Sequence, residues 1–307
     1  MAVQETFVMK CIFSIDVEDW YHILDLPTTP EIAQWDSLPS RVESNFAKLL
    51  AILEAGKAKA TCFFIGWIAH KYPHLVREAA RQGHEIASHG YEHRLAYQMT
   101  SQEFLEDAVR SKKVIEEICG QAVWGYRASG FSLTKDTPWF FDRLIEAGYR
   151  YDSSLFPATR AHGGLQNGRY APYRLESSDF VEFPASVERV LGRPICFFGG
   201  GYLRLFPYSV IRTMTRRVLR QERPAIFYVH PREIDWGSPR LKMGLGRRFK
   251  SYVNILTTEP KIRKVLADFE MVTFREYLAR ATNMSATKTC PANNLTVING
   301  DSGIVTV

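Results

Sequence analysis

The chain of 307 residues is poor in cysteine. Cys11, Cys62, Cys119, Cys196 and Cys290 are odd in number, far apart and never in a Cys-x-x-Cys pair. That excludes a small disulfide-built fold and predicts a reducing, cytoplasmic setting. No run approaches the roughly 18 apolar residues of a spanning helix, and the start MAVQETFVMK has an acidic residue and no long apolar stretch, so no secretory leader is expected. Internal repeats and low-complexity tracts are absent as well. Acidic residues are scarce in one place: positions 204–264 hold 15 Lys and Arg against 4 Asp and Glu, an excess of +11, and leave the remainder with 24 basic against 29 acidic residues. Such a block suits a solvated helix face, an anionic membrane surface or a phosphate-bearing substrate. No recognisable nucleic-acid-binding module accompanies it, so a nucleic-acid partner is not expected.

What is present is enough for a large core: 46% hydrophobic, 13% aromatic and 23% charged residues exclude disorder of the whole. Apolar runs rich in β-branched and aromatic residues predict strands at 10–15, 60–65, 84–87, 122–126, 149–151 and 225–229. Helical periodicity predicts helices at 42–53, 73–81, 101–119, 137–147 and 208–220. Thr100 and Glu103 form a capping box at the start of the third helix, and Gly120 stops it. From 158 to 201 glycine and proline punctuate the chain, and a hairpin is expected within 180–193. A last strand and helix fall at 270–279. Alternating strands and helices predict an α/β architecture, either a doubly wound sheet or a barrel, in one domain over about 10–280. Residues 1–9 read as an extension and 281–307 as a flexible tail.

In both architectures chemistry collects at the C-terminal ends of strands. The first strand runs into Asp16, Glu18 and Asp19, three carboxylates whose repulsion a cation would relieve. The third gives His89-Gly90-Tyr91-Glu92-His93, whose spacing puts two imidazoles on one side of a turn, as divalent-metal sites require. His70 and His74 share that spacing without a carboxylate cluster, so spacing alone decides nothing. Arg127 follows an apolar strand and needs a carboxylate partner; Asp16 as a base, or a purely structural ion pair, are the two readings. His230 ends the run at 225–229, either as a core histidine or as a general acid.

Together these motifs resemble the polysaccharide deacetylases of the NodB homology type, carbohydrate esterase family four. The run DVEDW and the region from about 235 resemble the exopolysaccharide and exosortase-associated branch, which carries an extra C-terminal region. The resemblance covers about 10–280 and implies a distorted (β/α)7 barrel with a C-terminal elaboration. It implies that Asp16 is the catalytic base, steered by Arg127, that His89 and His93 bind the metal, and that His230 protonates the leaving group. Val17 stands where the family's second Asp binds metal, so the carboxylate ligand shifts to Glu18 or Asp19; both stay open. Asp152 is expected either to orient His230 or to serve a turn.

The implied reaction is hydrolysis of an N-acetyl group from an amino sugar in a bacterial polysaccharide or its lipid-linked precursor. The implied cofactor is Zn²⁺, with Co²⁺ or another divalent ion as alternatives. Trp20, Tyr126, Gly200 and Tyr202 are the expected substrate contacts, with Tyr21, Trp124 and Phe131 as further apolar wall. The glycine run 199–201 is expected to be a loop. A cyclic-amide or allantoin-type amidase on the same scaffold and a non-catalytic glycan-binding protein are the alternatives. The basic segment predicts peripheral association with the anionic inner membrane face or attraction to a pyrophosphate-linked glycan.

Overall fold

The computed structural model describes residues 10–287 except 25, 159, 161, 162, 167 and 177. The expected 1–9 extension and the part of the expected 281–307 tail beyond 287 lie outside the described residues; 281–287, expected as tail, continue the last helix. The chain opens with β1 (Cys11–Val17), α1 (Val42–Ala55), β2 (Thr61–Phe64), α2 (Gly66–Lys71), α3 (Pro73–Arg81) and β3 (Glu85–Ser88). Then come α4 (Ser101–Cys119), β4 (Gly125–Tyr126), α5 (Phe140–Glu146), β5 (Tyr151–Asp152), β6 (Tyr173–Arg174) and β7 (Val181–Glu182). The hairpin β8 (Val187–Val190) and β9 (Arg193–Cys196) leads to α6 (Gly200–Leu205), α7 (Tyr208–Arg220) and β10 (Ile226–Val229). The chain closes with α8 (Leu245–Tyr252), α9 (Thr258–Asp268), β11 (Met271–Val272) and α10 (Phe274–Thr287).

The main sheet runs β10-β1-β2-β3-β4-β5-β7-β6, with β11 also on β1; its neighbours are parallel except β6 and β7. Seven parallel strands in succession, curled into a half-barrel with helices outside, are the NodB-type α/β barrel the sequence implied.

Strand alternation sorts the two faces of that sheet. Cys11, Phe13, Ile15 and Val17 of β1 join the large cluster under the helices, whereas Ile12 joins an inner cluster with Phe63, Tyr151 and Phe274. Phe274 plugs the N-terminal end of the strands, with its ring 5.7 Å from Phe63, 5.2 Å from Tyr151 and 5.0 Å from Phe183. Burying such a ring contributes about 2 kcal/mol. Glu85 satisfies the same end, accepting from Thr61 Oγ1, Tyr151 OH and the Arg275 amide. With one end filled, the other is where a ligand can enter.

Three local expectations are corrected. The strand expected at 122–126 is confined to Gly125–Tyr126, because Val123 is tied to α4 by Lys112 and Glu116 instead of pairing in the sheet. The hairpin sits at 187–196, not within 180–193. Its turn, Leu191-Gly192, has positive φ at both residues (51° and 79°), and Val181–Glu182 pairs in the main sheet instead. The glycine run is not a loop: Gly200 and Gly201 open α6.

Candidate metal centre and active site

The tight turn after β1, in which the Glu18 amide bonds Asp16 O at 2.9 Å, keeps Glu18 at the inner end of the strand. Its carboxylate meets the two histidines. Glu18 Oε1 lies 3.3 Å from His89 Nε2 and 3.0 Å from His93 Nε2, and one ligand atom from each residue falls within 4.8 Å of the others. His89 follows β3 directly and has its Nδ1 2.6 Å from Arg127 O, which fixes the proton there and leaves the Nε2 lone pair facing Glu18. His93 is delivered by a loop that Asp107 of α4 holds through the Tyr91 and Glu92 amides. Its own backbone has φ +56°, a conformation that costs a non-glycine residue energy and that the surrounding loop maintains. Two lone-pair nitrogens and one carboxylate oxygen are the donor set of a hydrolytic metal site, so these residues fit a divalent ion. Burial opposes ionisation of Glu18, but Arg232, His230 and His93 outweigh it and hold the carboxyl well below the usual range. Arg232 pairs with the other carboxylate oxygen, Oε2.

Asp16 is 1% exposed and Arg127 likewise. Arg127 Nη1 donates to Asp16 Oδ1 at 2.6 Å and to Ser14 Oγ at 2.9 Å, and its other nitrogens reach Ser153 O and Oγ at 3.2 Å. The guanidinium also lies 4.2 Å above the Phe63 ring. Arg127 is therefore fixed by β1, β2 and the residue after β5, and Oδ2 of Asp16 is left facing the cavity side, 3.8 Å from His230 Nε2.

His230 follows β10. Its Nε2 lies 3.5 Å from Glu18 Oε1, and its Nδ1 lies 3.4 Å from Glu233 Oε2. Glu233 also accepts the His230 amide at 3.1 Å and pairs with buried Arg204, which in turn donates to Lys250 O and Ser251 O. Burial opposes ionisation of Glu233, but Arg204 and His230 overcome it and lower its pKa to about 2. Gly200 is required here: with φ +30°, a Cβ would come 2.5 Å from Glu233 Oε1.

A cavity of about 520 Å³ opens over these groups; Asp16, Glu18, Phe131, Gly200, Tyr202 and His230 are in its wall. Four sequence expectations join neither this cavity nor the groups beneath it. Asp19 turns away to cap Trp20–His22 and accepts from Ser40 Oγ and the Arg41 and Val42 amides, so it braces the loop before α1, and Glu18 is the carboxylate that meets the histidines. Asp152 does not orient His230, because its oxygens are held by the Ser154 amide and hydroxyl and by Glu182. Tyr126 is 2% exposed and packs among Phe104, Phe140 and Tyr149. Trp20 is 8% exposed, donates to Pro39 O and lines a separate small crevice. Of the further wall residues only Phe131 lines the cavity; Tyr21 is buried with Trp20 and Trp35, and Trp124 stacks on Arg150 and Arg275.

Three residues in the site were not anticipated. Arg232 and Glu233 follow His230 directly, with nothing in their spacing to mark them. His22 lines the cavity at 1% exposure, its ring 5.5 Å from that of His93. Its Nδ1 accepts the Asp19 amide at 2.9 Å, so Nε2 carries the proton, and that atom is buried without a partner.

Residues 32–151 match the family described as Polysaccharide deacetylase, and residues 153–279 match a domain of unknown function, DUF3473. A peptidoglycan deacetylase of Helicobacter pylori is 26% identical over 113 residues, 37% of this chain and 38% of that protein. A peptidoglycan-N-acetylglucosamine deacetylase of Bacillus cereus is 33% identical over 70 residues, 23% of this chain and 33% of that protein. The chain thus spans well under half the length of these curated relatives. A crystal structure from Mycobacterium smegmatis, assigned to the polysaccharide deacetylases, superposes with a TM-score of 0.60 at 23% identity, covering 95% of this chain and 98% of that one. At that identity the likeness shows the fold. The barrel and the ordered motifs thus agree with the match of residues 32–151 to the polysaccharide deacetylase family.

Proposed function

We propose that the protein removes the N-acetyl group from an amino sugar of a bacterial polysaccharide or its lipid-linked precursor, with Glu18, His89 and His93 holding a divalent ion. The observation that carries this reading is the convergence of two buried imidazoles and one carboxylate at 3.0–3.3 Å beside an arginine-held Asp16. A divalent ion on those ligands, zinc or cobalt for example, supplies acidified water and a polarised acetyl carbonyl. Every other part is played by the chain itself. Asp16 has one oxygen fixed by Arg127 and presents the other to take the proton of the attacking water. His230, backed by Glu233, protonates the departing amine, without which cleavage would expel a strongly basic amide anion. His22 offers its unpartnered Nε2–H from the cavity wall to an oxygen of the substrate.

The cavity of about 520 Å³ has the size range of small-ligand sites and accommodates a sugar unit in an open cleft, which supports the glycan over a small cyclic amide. Acetate release tests the reading. The protein is supplied with Zn²⁺ or Co²⁺ and offered N-acetylated oligosaccharides, lipid-linked N-acetylamino sugars, allantoin and cyclic imides. Release from the first two classes is expected; turnover of the ring amides alone would reassign the activity.

A further inference from the structure

Eight large apolar side chains are exposed among the described residues, and five of them, Leu205, Trp236, Leu245, Phe249 and Leu256, fall between 205 and 256. Four of the five fall in a stretch of one-sided charge: residues 236–256 contain five basic residues, Arg240, Lys242, Arg247, Arg248 and Lys250, and no acidic one. At the centre stands α8, eight residues with none buried. Leu245 (86% exposed) and Phe249 (57% exposed) are four apart and share one side of it, with Arg248 and Lys250 exposed alongside. A helix this short is not stable by propensity, and it packs no side chain into the core. Polar ties hold it: Arg247 donates to Leu24 O, and Arg204 donates to the carbonyls of Lys250 and Ser251. Leu245 and Phe249 therefore do little for folding and remain available to something outside.

We propose that this face docks on an anionic lipid bilayer, with Leu245 and Phe249 in the interface and the surrounding cations against the headgroups. The combination of apolar side chains with cations and no acid is complementary to that surface and to few others. A second copy of the chain would set five cations against five. The placement also deepens the deacetylase reading, on which this part rests. Phe249, Lys250 and Leu205 line the mouth of the cavity, so docking would turn that mouth to the headgroup plane, where the sugar of a lipid-linked substrate sits.

Sedimentation of the full chain with vesicles tests the proposal. Vesicles of phosphatidylcholine mixed with phosphatidylglycerol should carry the protein down, vesicles of phosphatidylcholine alone should not, and binding should weaken as salt rises. Each basic residue near such a surface strengthens binding by about fivefold. Arg248→Ala combined with Leu245→Glu should therefore weaken it by roughly tenfold or more. The same double variant should release acetate from a soluble N-acetylated oligosaccharide at the wild-type rate, since neither residue lines the cavity. The proposal is overturned by equal binding to both kinds of vesicle, by no binding to the anionic ones at low salt, or by unchanged binding of the variant. A wild-type dimer that the variant dissolves, without vesicle binding, would assign the face to self-association instead. Vesicle binding by a protein that deacetylates nothing would sustain the docking while removing the deacetylase reading.

Discussion

Asp16 Oδ1 stands 2.6 Å from Arg127 Nη1 in a setting where both side chains are almost wholly enclosed. The pair joins a proposed proton acceptor to a rigid cation, and the two halves have separable effects. Asp16→Asn keeps the shape and should lower kcat by about 10²- to 10⁴-fold, the range of a general base, with bound metal unchanged. Arg127→Ala leaves a buried carboxylate without its partner and should cost about 3–5 kcal/mol of stability. Acetate release and metal content check the first, and denaturant unfolding the second.

Glu18 and Asp19 are neighbours with opposite duties, one facing the histidines and the other capping the next turn. Glu18→Ala should abolish retention of Zn²⁺ or Co²⁺, measured by metal analysis after dialysis, while the barrel still melts cooperatively. Asp19→Ala should retain the metal and lower stability by about 1–2 kcal/mol, as loss of a cap does. Metal loss in the Asp19 variant alone would exchange the two roles.

Chelation gives a related expectation. Removing the divalent ion should erase acetate release and lower the melting temperature, and adding Zn²⁺ or Co²⁺ should restore both, because an ion held only by the folded chain stabilises it by mass action.

Glu233 makes its contribution as an anion, with its pKa lowered to about 2. A carboxyl depressed in the folded state adds stability above the usual carboxylate range, and that stability is lost as pH falls through about 2. Glu233→Gln should flatten that acid limb in melts taken from neutral pH downward. It should also reduce kcat by about tenfold through the loss of the charge behind His230.

Asp152 and Glu182 show the opposite sign. Burial pushes both carboxyls up, Glu182 is raised further by Asp152, and the pair holds a proton between them. A raised carboxyl contributes stability that is present at low pH and lost as pH climbs; for Asp152 the loss begins in the usual carboxylate range and is complete a little above about pH 6. Glu182→Gln should remove most of the decline in melting temperature that the pair predicts as pH rises above the usual carboxylate range.

The frame of this molecule was legible wherever local and global signals agreed. The helices Ser101–Cys119 and Tyr208–Arg220 have the bounds their periodicity predicts, and Gly120 takes the left-handed stop with φ +66°. Strand alternation could also have chosen between the carboxylates, since Ser14, Asp16 and Glu18 recur at period two on the face opposite Phe13, Ile15 and Val17. Other features depend on long-range contacts that no spacing encodes. Asp152 meets Glu182 rather than His230 because β5 pairs with β7, and position 200 must be glycine because Glu233, 33 residues downstream, occupies the space a Cβ would take. His22 was hidden by its place in an aromatic run, Trp20-Tyr21-His22, where a buried ring reads as core.

The position of β1 governs the order in which the protein can be completed during synthesis. Its residues pair with Ile226–Val229 and with Met271–Val272, more than 200 residues downstream. Asp16 and Glu18 leave the ribosome early but gain their His230 and Arg232 neighbours only when β10 and the turn after it have emerged. Until then the first strand has an uncovered edge and a cluster of unneutralised carboxylates, so folding of the half that carries the histidines waits on the half that carries the acid. Such long sequence separation makes for slow folding, and a nascent chain stopped before about residue 230 should expose a sticky strand edge to chaperones.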